Sequence, residues 1–504
     1  MIMTISRVEP LTDSATGHLW TRWLFLRALG LIFFSAFYSL AFQIYGLIGE
    51  RGILPAASYL GEVAGAFGPL KRVWYAPTLL WLDSGDTALR LVVAGGLIAS
   101  ALLVLNVWPR LMVGISTVLF LSCIAALQDF SSYQSDGMLL EAGFLSLFFA
   151  PRGILPGLGA TDPPSAFSRF MLLWEWFRIY FESGVVKLAS GDPHWRNLTA
   201  MDDYYQNGPL PSWIGWYVQQ LPHWFHAGMV LVILFVELVL VWAVFLPRGF
   251  RVACFIVVTA LQVSIIATAN YCFLNYLVLT VGVLLLDDRE LARVGFPFVK
   301  SVPGESTRRF RITRKLQTAV LGLAFYATIV AFLVDTSSSI LTSPARFLAP
   351  FRIANAYGLF AVMTEARYEI EFQGSRDGKT WIAYPFRYKP QNPVERPGFF
   401  APYQPRFDWN LWFASLGSAR ENPWVLLAQE RLLEGSLPVL ALFSGDPFNG
   451  KPPAMVRTIL WQYWFTDLRT QRVTGVWWRR KELGPYSVTL AKATGDSLGF
   501  TVVP

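Results

Sequence analysis

Cysteine and charge are what this chain has least of. Only three cysteines, Cys123, Cys254 and Cys272, occur in 504 residues. Each lies in or beside an apolar run, and no two have metal-ligand spacing. That points away from a disulfide framework, a thiol-exchange site or a zinc site. Charged residues make up 15% of the chain, against about 25% in a soluble domain. The formal charge of +8 is modest and is read loop by loop, not as a sign of a nucleic-acid partner. Strings of the GxSxG, Walker, zincin and Rossmann types are missing, which disfavours a hydrolase or nucleotide enzyme. No motif asks for a cofactor or a metal, and there are no repeats or low-complexity linkers.

What is present is apolar. Hydrophobic residues reach 54%, with 20 Trp and 39 Phe, and mean hydropathy is +0.41. Runs of spanning length fall at about 22–48, 88–107, 111–127, 169–189, 225–246, 252–269, 272–286 and 316–334. A shorter run, 138–150, reaches that length if it begins near Ser131. The expected fold is therefore a polytopic α-helical bundle of about 8–9 transmembrane helices over residues 1–334. The first run is too long for a cleaved signal peptide and reads as a retained helix.

Orientation follows from the basic loops. The connection 287–315 carries Arg289, Arg293, Lys300, Arg308, Arg309, Arg311, Arg314 and Lys315 and should be cytoplasmic. Counting back across nine spans puts Arg248, Arg251, Arg152 and Arg110 on the same side. Segments 128–137 and 190–224 fall outside. Loop 49–87 also falls outside, despite Arg51, Lys71 and Arg72. The N-terminus is thus expected inside and the C-terminus outside. Residues 335–504 change character and read as a β-rich α+β extramembrane domain. Tyr368–Phe372 alternates as a half-buried strand, and Ser375–Gly378 supplies a turn before Thr380–Ile382. Leu411–Leu416 and Trp424–Leu433 read as helices, the second starting after Asn422-Pro423.

The segment Trp174–Arg196 puts Glu175, Arg178, Glu182 and Lys187 into an apolar stretch. One charge at the bilayer centre costs about 2.5–3.5 kcal/mol even on the lenient insertion scale. Four persist only by pairing, lining a wet cavity or doing chemistry. Glu175, Arg178 and Glu182, at i, i+3 and i+7, share one helical face, and Arg178 and Glu182 form an i, i+4 pair. Lys187 falls off that face. It reads either as a lysine neutralising the helix end or as a desolvated base. Glu141 and Glu237, in other apolar runs, are expected to bond across helices. Asp192 is a turn former first, Asp202 a cap or loop residue, and His223 with His226 an interfacial pair. Arg406 and Asp408 are expected to pair with each other and order the loop before Trp409. Trp409, Trp412 and Trp424, if exposed, would mark a surface for a client chain.

Several strings are distinctive. They include Asp136–Phe144, Trp174–Trp195, Arg196–Met201, Pro209–Pro211, Asn270–Asn275 and Asp287-Asp288. Beyond residue 335 they are Asn355–Phe360, Arg367–Ile370, Pro402–Trp409, Trp412-Phe413, Asp446–Phe448, Pro452-Pro453 and Trp477–Arg480. In this order they resemble the lipase maturation factor family, through nearly all of the chain. Family members often show a His and a Gln after the position of Met201, where this chain has Tyr204 and Gly208. The resemblance implies an integral membrane protein that helps secreted lipases fold and assemble, with its last domain in the lumen or periplasm. Asp192, Trp195, Arg196, Asp202 and Asn275 in the membrane half face client or ligand on that reading. Arg406, Asp408, Trp409 and Trp412 do so in the outer domain. Short loops and the lack of eukaryotic tails give the chain a bacterial look, hence the inner membrane, or the endoplasmic reticulum in a eukaryote. A shorter string, Ser183–Leu188 with Asp192 and Trp195, is similar to vitamin K-dependent carboxylase-like membrane proteins. That likeness implies an alternative: an enzyme acting on a lipid or quinone-like substrate with Lys187 as base.

The expectation carried forward is a maturation or chaperone-like factor whose partners are the bilayer and an exported client, by resemblance a lipase. The enzyme stands second. A transporter stands third, because no repeat relates two halves.

Overall fold

The computed structural model describes residues 17–131, 133–299, 301, 308–333, 340–492 and 500–503. Lys300, the side chains of Arg308, Arg309 and Arg311, and the expected boundary at 334/335 lie outside the described residues. The main helices of the first part are α1 (Leu19–Ile48), α2 (Asp86–Val104), α3 (Pro109–Ile124), α4 (Gln134–Phe149) and α5 (Ala166–Ala189). They continue with α6 (His223–Leu238), α7 (Arg248–Thr268), α8 (Leu274–Gly282) and α9 (Arg308–Leu333). Among the described residues five segments are long and apolar enough to cross a membrane: α1, α2, α6 with its 3₁₀ continuation to Phe245, α7, and α9 from Ile312. Helix α3 and the segment Leu274–Leu285 are shorter apolar helices.

In lipid, helices gain little from apolar burial and associate by close packing of small residues. That is how α1 holds its neighbours. A Cβ at Gly96 of α2 would overlap the ring of Phe37 on α1, and one at Gly30 would come 2.9 Å from Val104. Gly143 of α4 likewise sits against Thr117 of α3 and Phe33 of α1.

The second part is a six-stranded antiparallel sheet carrying helices α10 (Arg406–Ser415) and α11 (Trp424–Glu434). Its strands are β1 (Arg367–Ser375), β2 (Ile382–Ala383), β3 (Met455–Phe465), β4 (Trp478–Pro485), β5 (Thr489–Lys492) and β6 (Phe500–Val503), in the order β2-β1-β3-β5-β6. Strand β4 also pairs with β3. The expected hairpin is there: Gln373 pairs with Ala383 and Gly374 with Ile382, and Asp377 closes the turn by accepting from Lys379 and Thr380. The register of β1 on β3 runs from Arg367 opposite Tyr463 to Ser375 opposite Met455. Both expected helices form, the first beginning five residues earlier at Arg406.

One apolar core runs without a break from Phe25 and Phe33 of α1 to Phe407, Trp424 and Phe443 of the second part. A second, aromatic cluster joins the 195–218 loop region to the sheet through Trp195, Trp216, Tyr463, Trp477 and Trp478. The sheet part sits at the helix ends that carry residues 49–54, 128–136, 190–213 and 269–272. Arg431 donates to Gly52, Arg406 to Phe130, and Arg367 to Gln206 and Pro209, and Asn270 exchanges bonds with residues 398–401. The opposite end gathers Arg22, Arg110, Arg152 and Arg248 around Asp162, Asp287 and Glu290.

Candidate functional site

Helix α5 starts at an N-cap, where the Ser165 hydroxyl accepts from Ser168 N–H at 3.0 Å. Its last turn is occupied by Lys187. Along it, all four charged residues of the sequence argument are buried, none more than 2% exposed. They meet each other only in part. Half of their hydrogen bonds go to a single stretch of the second part, residues 355–364.

The stretch lies along α5 residue by residue. The Arg178 guanidinium donates to the Asn355 carbonyl at 2.6 Å and pairs with Glu141 of α4. Glu141 Oε2 accepts from the Tyr357 hydroxyl at 2.8 Å and from Asn355 Nδ2 at 3.0 Å. Glu182 Oε2 accepts from Tyr357 N–H at 2.7 Å, and its other oxygen lies 4.0 Å from Arg178. Ser183 Oγ accepts from Leu359 N–H at 3.2 Å. Lys187 Nζ donates to the Leu359 carbonyl and to Glu237 of α6, both at 2.9 Å. Trp195 Nε1 donates to the Phe360 carbonyl at 3.0 Å, and its ring lies 5.2 Å from Lys187 Nζ. Ser190 Oγ donates to Ala361, Asp192 Oδ2 accepts from Met363 N–H at 2.6 Å, and Asn207 Nδ2 donates to Thr364 at 2.7 Å. Buried backbone outside regular structure must have its polar groups paired, and α4, α5 and residues 190–207 supply those partners.

Lys187 points away from the Glu175 face, as its spacing requires, and meets α6. The close approach is possible because residue 184 is glycine. A Cβ there would lie 2.9 Å from both Glu237 Cβ and Leu238 Cδ2. Glu175 shares the face of Arg178 and Glu182, but the ion pairs of Arg178 are with Glu141 and Glu182. Neither oxygen of Glu175 has a hydrogen-bond partner among the described residues, because Arg178 is drawn to Glu141 and Asn355.

Arg406 and Asp408 do not pair. They lie on a helix and not on a loop, and residues two apart on a helix face different ways. Arg406 makes a bidentate bridge to Asp136 at the start of α4, at 2.7 and 2.8 Å, and donates to the Phe130 carbonyl. Both partners are fully buried. Asp408 accepts weakly from the N–H groups of Tyr388 and Lys389. Burial raises its carboxyl to about 7, with Lys389 opposing the shift. Trp409, Trp412 and Trp424 are buried as well, so none of them offers an exposed surface. Trp412 donates to the Asn207 carbonyl. At Asp192, burial works against the charge. The N–H groups of Met363 and His194 and the His194 ring outweigh it and hold the carboxyl below its ordinary value. Arg196 is exposed and donates to Leu188. Asp202 faces His223 at 3.0 Å, while His226 turns to the Leu221 carbonyl. Asn275 donates to Gln262, which donates to Tyr180, both at 2.6 Å.

Beside this seam lies a cavity of about 590 Å³, bounded by α5, α6, α7, α8, residues 358–364 and α10. Lys187, Glu237, Gln262, Asn275, Trp195 and Trp409 are on its wall. Sequence reasoning missed Asp136, Asn355, Tyr357, Gln262 and Asn207. Of these Asp136, Asn355 and Tyr357 lay inside strings already marked as distinctive, which was the only signal for them.

Long apolar helices, a buried charged seam and a sheet part docked on that seam define an integral membrane protein whose last third is built into its helical part. The chain belongs to the lipase maturation factor family. Residues 20–293 match the model of the lipase maturation factor transmembrane domain, and residues 353–488 that of its C-terminal domain. It is 34% identical to lipase maturation factor 1 of Mus musculus, over 94% of this chain and 87% of the mouse protein. Identity to the Bos taurus lipase maturation factor 1 is 33%, over 94% and 90%. Identity to the Homo sapiens lipase maturation factor 2 is 30%, over 95% and 84%. No solved structure matches the chain.

Proposed function

We propose that this protein is a membrane-resident maturation factor that assists the folding or assembly of an exported client, with a lipase as the client class its relatives' names suggest. The observation that carries this reading is the breadth of the likeness: relatives named for lipase maturation align over 94% of the chain at 33–34% identity. The geometry supports it in a second way. The charges that might have served catalysis are spent on holding residues 355–364, which fixes the sheet part rigidly to the bundle. A rigid platform loses little entropy when it captures a chain. Lys187 in particular is engaged by Glu237 and Leu359. That is the setting of a charged structural lysine, not of a free neutral base.

In this reading nine helices cross the bilayer, the end bearing Arg110, Arg152 and Arg248 faces the cytoplasm, and residues 335–504 form a domain on the outer side. The segregation of basic residues at the end opposite the sheet supports that sidedness. Alkaline phosphatase fused after residue 492 is then active, and the same reporter after residue 299 is not.

The test of function is deletion of the protein from its host, with comparison of exported proteins by activity per unit mass. A fall in specific activity of one or a few exported enzymes, at unchanged transcript, is expected. An exported proteome that keeps full specific activity overturns the proposal.

A further inference from the structure

A groove of about 840 Å³ runs along α3, away from the charged seam. Its wall is one stripe of that helix, Leu111, Gly114, Ile115, Val118 and Leu121, at the spacing of a single apolar face. Phe144 and Leu147 of α4 line it too. Gly114 permits their approach, since a Cβ there would lie 3.2 Å from Leu147 Cδ2. Leu111 and Val118 are half exposed, so the groove is open along its side. From Leu111 to Leu121 the stripe rises about 15 Å, at 1.5 Å per residue. That is half of the roughly 30 Å hydrocarbon core of a bilayer, the depth of one leaflet.

The end of the groove where α3 begins is cationic. Arg110 and Arg152 stand on its wall, and their side chains are 27% and 47% exposed, so both reach the opening. One carboxylate serves them: Asp162 Oδ2 lies 3.5 Å from Arg110 and 4.0 Å from Arg152. Arg110 also donates to the Ala150 carbonyl at 2.9 Å, and Arg152 N–H to Asp162 at 3.0 Å. Behind them the buried Arg22 donates to the main-chain carbonyls of Leu158 and Asp162. Three guanidinium groups thus gather around one acidic residue, which leaves positive charge in excess at the mouth. Trp108, on the same wall and exposed, is of a type that favours the headgroup level.

An apolar groove one leaflet deep with a cationic mouth is complementary to an acyl chain carrying an anionic head. A zwitterionic lipid brings no net charge to the mouth, and a free phosphate gains nothing from the groove. Basic sites between helices on the cytoplasmic side are where anionic headgroups bind. We propose that an anionic diacyl phospholipid occupies this groove, with an acyl chain along α3 and its phosphate at Arg110 and Arg152. The site is separate from the client reading. It rests on the basic end meeting the membrane surface, which the reporter fusions test independently.

The test mixes full-length protein in mild detergent with equimolar phosphatidylglycerol and phosphatidylcholine of identical palmitoyl-oleoyl chains. Bound lipid is then counted by native mass spectrometry. Retention of phosphatidylglycerol is expected, favoured about 5- to 25-fold, from about 5-fold per arginine near a membrane surface. Arg152→Gln should lower that preference about 5-fold. Val118→Trp, which fills the groove, should lower the retention itself. Arg479→Gln, at an exposed arginine of the sheet part, should change neither. Equal retention of the two lipids, a preference unchanged in Arg152→Gln, or one lowered as much by Arg479→Gln reduces the contact to annular lipid and overturns the proposal. Displacement of the lipid by excess glycerol 3-phosphate would make this a phosphate site and overturns it too. If Val118→Trp fails to fold, the Arg152→Gln comparison decides.

Discussion

The bridge between Arg406 and Asp136 joins residues 270 apart in sequence and permits a quantitative test of how the two parts hold together. Both side chains are wholly buried, and the guanidinium makes two bonds to the carboxylate and one to the Phe130 carbonyl. Removing the carboxylate leaves a cation in the core with a single carbonyl for company. Breaking a buried pair in this way costs about 3–5 kcal/mol, whereas replacing both partners by apolar groups of similar volume is often near neutral. Asp136→Leu and Arg406→Met should therefore each be severely destabilising, and the double variant should recover most of the loss. The assay is denaturant unfolding of the detergent-solubilised protein, followed by tryptophan fluorescence and analysed as a double-mutant cycle, with limited proteolysis reporting release of the sheet part. A coupling energy of about 3 kcal/mol or more is expected. Additivity to within about 0.5 kcal/mol, the value for independent sites, would refute the claim that this bridge locks the sheet to the bundle.

Three further outcomes are expected. Gly184→Leu forces α6 away from α5 and should cost about 1–3 kcal/mol as overpacking, while the exposed Gly228→Leu, which meets no atom within 4 Å, serves as the tolerated control in the same unfolding assay. Lys187→Met should lower the membrane level of the protein by leaving Glu237 unpaired, and Lys187→Met combined with Glu237→Leu should restore both level and client activity. A restored level without activity would instead make Lys187 chemical. Asp408 has a folded value of about 7 against an ordinary 3.8, so its protonated form is the one the fold prefers. Its contribution is present at low pH and declines as pH rises from about 4 to 7. Asp408→Asn should flatten that part of the stability profile by an amount on the order of 4 kcal/mol, and an unchanged slope would show that Asp408 is already ionised in the fold.

The helices and the β1–β2 hairpin were legible because their signals are local: apolar runs, a period-2 stretch and an Asp-Gly turn. The common face of Glu175, Arg178 and Glu182 was legible for the same reason. Their partners were not. The Asn355 carbonyl is 177 residues from the guanidinium it receives, and no periodicity reports such a distance. The Arg406–Asp408 pairing failed on a local point, since taking 406–409 as loop hid the fact that a helix turns those side chains apart. Burial of Trp409 and Trp412 was hidden too, because an aromatic on an amphipathic helix reads the same whether it faces solvent, a neighbour or a cavity.

The stretch 355–364 also has a meaning in time. Ribosomes make α5 long before they make residues 355–364, so during synthesis the charges of α5 are without the backbone groups that will answer them. The helical part is therefore unfinished until the end of the chain returns to it. Any product truncated before Asn355 keeps Arg178, Glu182 and Lys187 short of these partners, a defect that membrane proteases and chaperones are suited to detect. The same contacts that fix the mature architecture thus act as a proof that the whole chain has been read.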